Sequence, residues 1–192
     1  MMTNLTVMLA LALQVALPDV SQDRLRFVSE DIVSVANNEF SSGKMKSSLK
    51  QEAAIHMLTA VAVVESGLRR DIENCKVTGD GGKSVGLGQV MRGPNWQGYT
   101  RSEICSNRKL QFKLSLYVLD ACWQRSSDET ATFRCYTSGD TNKSSYIARY
   151  EYFIYKKIKT YVTARVAGQN IRTCNLTSLS TFYIREANTC EL

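Results

Sequence analysis

A chain of 192 residues with 44% hydrophobic and 22% charged side chains suits a single globular domain and excludes a disordered, fibrous or collagen-like protein. A formal charge of +6 and a pI near 9.0 point toward polyanions: nucleic acid, anionic lipid or anionic cell wall. Without a helix-turn-helix pattern or an RNA-binding aromatic motif, nucleic acid ranks below wall polymer, and a merely solvated basic surface would carry the same charge.

Leu5 to Leu17 is an apolar run broken only by Thr6 and Gln14. It falls short of the about 20 residues that cross a bilayer, so no stable membrane span is expected. Residues 1–18 read either as a signal peptide with an Ala10-Leu11-Ala12 site, though Met1 to Asn4 lacks Lys and Arg, or as an N-terminal apolar helix packed on the domain. Pro18 breaks the run. Asp19 or Ser21 is then placed to cap a helix with the stripe Leu25, Val28, Ile32, Val35 and Ala36. Asn37 to Ser48 is polar, contains Gly43 and is predicted to be a loop.

From Leu58 to Val64 every residue but Thr59 is apolar, which predicts a Leu49 to Glu65 helix buried most of the way round. Arg69 to Ser106, with recurrent glycines and Pro94, reads as mainly irregular chain with a short hairpin; Trp96 and Tyr99 within it either pin the loop or offer a stacking face. Leu110, Leu114, Tyr117, Val118 and Ala121 predict a core helix over 108–124, followed by a short one from Asp128 to Tyr136. A last helix is predicted from near Ser144, with Ile147, Tyr150, Ile154, Ile158 and Tyr161 inward and Arg149, Lys156, Lys157 and Lys159 outward. The main domain is thus residues 19–165 of an α+β, predominantly α-helical fold, with 166–192 as a C-terminal tail.

Six cysteines fit an oxidising compartment and hence an extracytoplasmic location. Spacing cannot choose the pairing; Cys174 with Cys190 is preferred because it would tether the tail. His56 is the sole histidine and no Cys-x-x-Cys pair occurs, so no metal, no cofactor and no histidine-bearing triad is expected.

Glu65 ends the buried run, and Gly67 is the first residue after it that favours a helix stop. The carboxyl therefore sits in the last turn, where the helix dipole and partial desolvation both disfavour its charge. An acid that keeps its proton near neutral pH is a general acid, whereas a frayed helix end would leave an ordinary solvated carboxylate. Beyond it, six glycines from Gly79 to Gly93 exclude a stable helix and allow the backbone to approach a ligand closely.

Glu65-Ser66-Gly67, followed by Gly86-Leu87-Gly88-Gln89, resembles the signature of the goose-type lysozyme and soluble lytic transglycosylase family. Gly79 to Val90 is similar to the goose-type version along its length, and Cys135-Tyr136-Thr137-Ser138-Gly139 matches a third element through Tyr136 and Gly139. Gly88 replaces the usual Met, Thr137 an Asn, and Met91 the second aspartate of goose-type enzymes, leaving Asp80 as the matching second carboxylate.

The resemblance implies a lysozyme-like domain with the glycine segment beside a cleft, peptidoglycan glycan strands as partner, a monomer, and no nucleic acid. It also implies cleavage between N-acetylmuramic acid and N-acetylglucosamine with Glu65 and Asp80 as catalytic residues and Ser66, Ser84, Gln89 and Tyr136 orienting substrate or acid. Three outcomes stay open: hydrolysis with Asp80 positioning water, a lytic transglycosylase with Glu65 as sole acid and base, and a wall-binding protein without turnover.

Overall fold

The computed structural model describes residues 4–167. They form eight α-helices and one two-stranded antiparallel sheet: α1 (Asn4–Ala16), α2 (Gln22–Ser41), α3 (Gln51–Ser66), α4 (Arg70–Glu73), β1 (Ser84–Val85), β2 (Val90–Met91), α5 (Arg101–Ser106), α6 (Arg108–Ser126), α7 (Glu129–Ser138) and α8 (Tyr146–Val166). The expected α+β, mostly helical class is the observed one.

The centre of the fold is α3. All ten residues from Ala54 to Val63 are buried, because α2, α6 and α8 pack around the helix and leave it no solvent face. Ile55, Leu58 and Val61 are fully buried, and each such side chain contributes about 1.5–3 kcal/mol. Thr59 is tolerated there because its hydroxyl donates to the Ile55 carbonyl at 2.7 Å. His56 is packed, at 1% exposure.

The Leu5 to Leu17 run forms α1, whose Leu9 and Leu13 are buried as the helix packs on α2 and α8. Among the described residues no helix is long and apolar enough to cross a membrane. The cap of α2 is Ser21, which accepts from the Arg24 N–H. The loop predicted from Asn37 begins only after Ser41: the α2 stripe continues through Phe40 and the buried Glu39. Glu39 is tolerated there because the Tyr117 hydroxyl donates to it and Lys113 and Lys44 lie 3.7 and 3.9 Å away.

Within the 69–106 segment, α4 and α5 are helices the periodicity missed. α5 carries a reciprocal capping box in which Thr100 accepts from the Glu103 N–H and Glu103 accepts from the Thr100 N–H. The hairpin is real, with Ser84 opposite Met91 and Val85 opposite Val90. It sits on a small second core of Val85, Val90, Trp96, Ile104, Leu110 and Leu114. Trp96 pins that loop, donating its indole N–H to the Val90 carbonyl at 3.0 Å.

Two disulfides brace this arrangement. Cys75–Cys105 ties the segment after α4 to α5, and Cys122–Cys135 ties α6 to α7, with Cα separations of 5.5 and 5.6 Å. The preferred Cys174–Cys190 pair, and the tail beyond residue 167, lie outside the described residues.

The inward stripe of α8 differs from the predicted one. Ala148, Glu151, Ile154, Tyr155, Ile158 and Val162 are buried, while Ile147 is 46% exposed and Tyr150 half-buried. The face turns because an acid, Glu151, occupies a core position at 0% exposure, and a stripe drawn from apolar residues alone passes over it.

Candidate active site

Glu65 lies in the last turn of α3. Gly67 ends the helix at φ 54°, its N–H returning to the Val63 carbonyl at 2.8 Å. This left-handed cap turns the chain sharply, as glycine does without a side-chain clash. The next residue, Leu68, is also left-handed at φ 57°. Its carbonyl is held by the Arg24 guanidinium, with Nε and Nη2 at 3.1 and 3.0 Å. Arg24 pairs with Glu73, Glu73 with Arg108 and Arg108 with Asp31, so α2, α4 and α6 together fix the exit from the Glu65 helix.

Burial pushes the Glu65 carboxyl up to about 7, a hydrogen bond with Glu151 pulls it back, and the charge of Asp80 pushes it up again. Desolvation dominates, as expected for an acid at the end of an apolar helix. Glu151, from α8, is the residue that motif reasoning missed. It is fully buried, and burial, the Glu65 charge and the hydrogen bond to Glu65 raise its own pKa well above the carboxylate range. Two acids meeting in one desolvated spot titrate as a pair. The available signal was helical register: Glu151 falls three residues before Ile154 and seven before Ile158, on the face those residues bury.

Asp80 is exposed, at φ 50° in a tight turn over Asp80–Gly82, and accepts from the Ser84 hydroxyl at 2.6 Å. Ser84 is buried on β1, so the Asp80 carboxylate is anchored to the hairpin while its turn faces outward. The site therefore brings together Glu65, Asp80, Ser84 and, from α7, Tyr136. Burial drives the Tyr136 phenol far above its ordinary value, with Glu65 and Glu151 adding to the shift and a Ser115 hydrogen bond opposing it. Its O–H donates to the Gly88 carbonyl at 2.6 Å.

Ser66 and Gln89 have other tasks. The Ser66 hydroxyl donates to the Ala62 carbonyl at 2.6 Å and accepts from the Leu68 N–H at 3.2 Å, so it serves the helix end beside Glu65. Gln89 donates to the Gly86 carbonyl at 2.9 Å. A β-carbon on Gly79 would come within 2.5 Å of the Gln89 Oε1, so a larger residue 79 would have to displace the end of that side chain. Gln111, also missed, is the internal strut: it accepts from the Leu87 N–H at 2.8 Å and donates to the Glu73 and Ile104 carbonyls at 2.8 and 2.9 Å.

The unusual Gly88 has a steric reason. A β-carbon there would stand 2.8 Å from the Tyr136 hydroxyl oxygen, 3.0 Å from the Ser115 β-carbon and closer still to the Ser115 hydroxyl. Ser115 thus fills the space beside residue 88. Met91 is half-exposed on β2, opposite Ser84, and Thr137 returns its hydroxyl to the Phe133 and Arg134 carbonyls at 3.2 Å.

Among the described residues no group of three or more His, Cys, Asp or Glu is placed to hold a metal ion. No family model, curated protein or solved structure matches the chain.

Proposed function

We propose that this chain is a lysozyme-like glycosidase that cleaves peptidoglycan between N-acetylmuramic acid and N-acetylglucosamine, with Glu65 as the general acid. The observation that carries the reading is the Glu65 carboxyl itself, raised to about 7 by burial at the end of α3, beside a glycine hairpin whose elements come in the order of the lysozyme and transglycosylase signature. An acid half-protonated near neutral pH is matched to protonating a leaving oxygen.

In the first step Glu65 gives its proton to the glycosidic oxygen, and the C1–O bond breaks with its electron pair on that oxygen while the muramyl ring gains oxocarbenium character. In the hydrolytic reading Asp80 takes a proton from water, whose oxygen closes on C1. The exposure of Asp80 and its electrostatic reach to Glu65 support that role. A second reading is favoured by the Ser84–Asp80 hydrogen bond at 2.6 Å, which commits Asp80 to bracing the hairpin. The substrate's own hydroxyl then attacks C1, its proton passing to the Glu65 carboxylate, and an anhydromuramyl end forms. Ser84 and Tyr136 hold the hairpin beside Glu65 in either reaction, while Ser66 and Gln89 serve the helix end and the turn. The two disulfides support an extracytoplasmic place of action.

Mass spectrometry of muropeptides released from purified wall tests the proposal. Wild type is expected to release reducing or anhydro-ended fragments, and Glu65→Gln to lose about two to four decades of rate while staying folded. Asp80→Asn separates the readings: a loss of about one to three decades marks hydrolysis, and an unchanged rate with anhydro ends marks transglycosylation. Release by Glu65→Gln within a few fold of wild type would refute the mechanism, and no release by wild type would leave a wall-binding protein without turnover.

A further inference from the structure

Among the described residues Glu151 is the one acid buried to 0% exposure. Among the described residues neither of its carboxyl oxygens receives a hydrogen bond from an N–H or O–H group, and neither it nor Glu65 forms an ion pair. Its partner is the Glu65 carboxyl. A charged carboxylate held away from water with no donor to meet it is among the costliest states a side chain can adopt, and protonation removes the cost.

We propose that Glu151 is a positioning residue that stays protonated through neutral pH and donates its O–H to Glu65, so that Glu65 can both hold and release a proton at an apolar helix end.

The surroundings of the pair fix the direction of donation. Asp80, on the turn before β1, brings negative charge toward Glu65 and opposes its ionisation. Tyr136, from α7, lies near both acids, but its O–H is committed to the Gly88 carbonyl. Among the described residues, the one hydrogen-bond partner that Glu151 has is therefore the Glu65 carboxyl. Of the two, Glu151 is fully enclosed and Glu65 partly reaches solvent, so a single shared proton resides on Glu151 and the charge on Glu65.

The consequence for catalysis rests on the glycosidase reading. As Glu65 protonates the leaving oxygen it becomes a carboxylate, and the O–H of Glu151 meets that new charge without itself gaining or losing a proton. Removing the donor should make Glu65 a weaker acid, although it also removes a carboxyl.

That sign is the test. In the full chain with 13C-labelled glutamate, the Glu151 carboxyl carbon is expected to keep its protonated chemical shift from pH 4 to 8 while Glu65 titrates near neutrality. In Glu151→Leu the Glu65 midpoint should rise by about half a unit or more, and in Glu151→Gln, whose amide N–H still donates, it should stay within about half a unit of wild type. A midpoint that is unchanged or falls in Glu151→Leu overturns the proposal; a fall would show that an ionised Glu151 had been repelling charge on Glu65. Titration of Glu151 below pH 6 in wild type overturns it equally, and decides the matter should the leucine variant not fold. These readouts are independent of turnover, so they stand apart from the fate of the glycosidase reading. If wall is cleaved, the alkaline limb of kcat/KM should move with the Glu65 midpoint across the three proteins.

Discussion

Gly88→Ala isolates the packing that replaces a larger side chain in the hairpin. The added β-carbon would lie 2.8 Å from the Tyr136 hydroxyl and 3.0 Å from the Ser115 β-carbon, both inside van der Waals contact, and closer still to the Ser115 hydroxyl. Ser115 is fully buried on α6, so rotating its hydroxyl away relieves one contact and leaves the carbon–carbon one. Tyr136 cannot retreat without lengthening its 2.6 Å bond to the Gly88 carbonyl. Overpacking of this kind costs about 1–3 kcal/mol, and loss of the hydrogen bond about 1 more. The stiffer unfolded chain returns about 0.5–1. The net loss of roughly 1–3 kcal/mol should lower Tm by roughly 2–12 °C in a chain of this size. Thermal unfolding followed by circular dichroism measures it. Ser115→Ala in the same background removes the closest clash and should restore at least about 0.5 kcal/mol beyond additivity in a double-mutant cycle. A Gly88→Ala protein melting within about 1 °C of wild type, or a cycle that closes additively, would refute the steric account.

Gln111→Leu should cost roughly 2–4 kcal/mol in urea unfolding, because it strands the buried Leu87 N–H and takes a donor from the Glu73 and Ile104 carbonyls; a loss under about 1 kcal/mol would mean the strut is dispensable. In native protein Cys75, Cys105, Cys122 and Cys135 should resist alkylation, and Cys75→Ala with Cys105→Ala should lower stability by about 3–4 kcal/mol through the 30-residue separation it opens. Stability should also vary with pH in two opposed ways. The Glu65 pKa is raised from 4.5 to about 7 in the fold, so its contribution is full below about 4.5 and is lost as pH rises to about 7. Burial lowers the His56 pKa below its ordinary 6.5, so its contribution is full above that value and is lost as pH falls through the lower folded value. His56→Leu should therefore flatten the acid side of a urea-stability profile and leave the alkaline side unchanged.

The helices could be read from the sequence wherever burial follows apolar residues. Ala54 to Val63 is enclosed as its composition implies, and α6 and α7 lie close to their predicted bounds. Reading failed where a charged residue takes a core place. Glu39 carried α2 on into the predicted loop, and Glu151 turned the face of α8, because pattern counting treats a carboxylate as solvent-facing whatever meets it. Glu65 was legible from its place at the end of an apolar helix, but its partner was not, since 86 positions separate them and only the packing of α8 on α3 brings them together. The Thr100-x-x-Glu103 box of α5 was in plain view and was masked by the glycines around it.

The split of the acid pair between α3 and the last described helix has a temporal consequence. During synthesis Glu65 leaves the ribosome well before Glu151, and in a chain whose α8 has not yet docked it is an ordinary wetted carboxylate with the acidity of free glutamate. The unusual acidity is a property of closure, not of the α3 segment, because burial by the packed helices is its main cause and α8 packs most extensively on α3. The ionisation of this one side chain can therefore serve as a clock for folding, reporting when α8 has docked on α3.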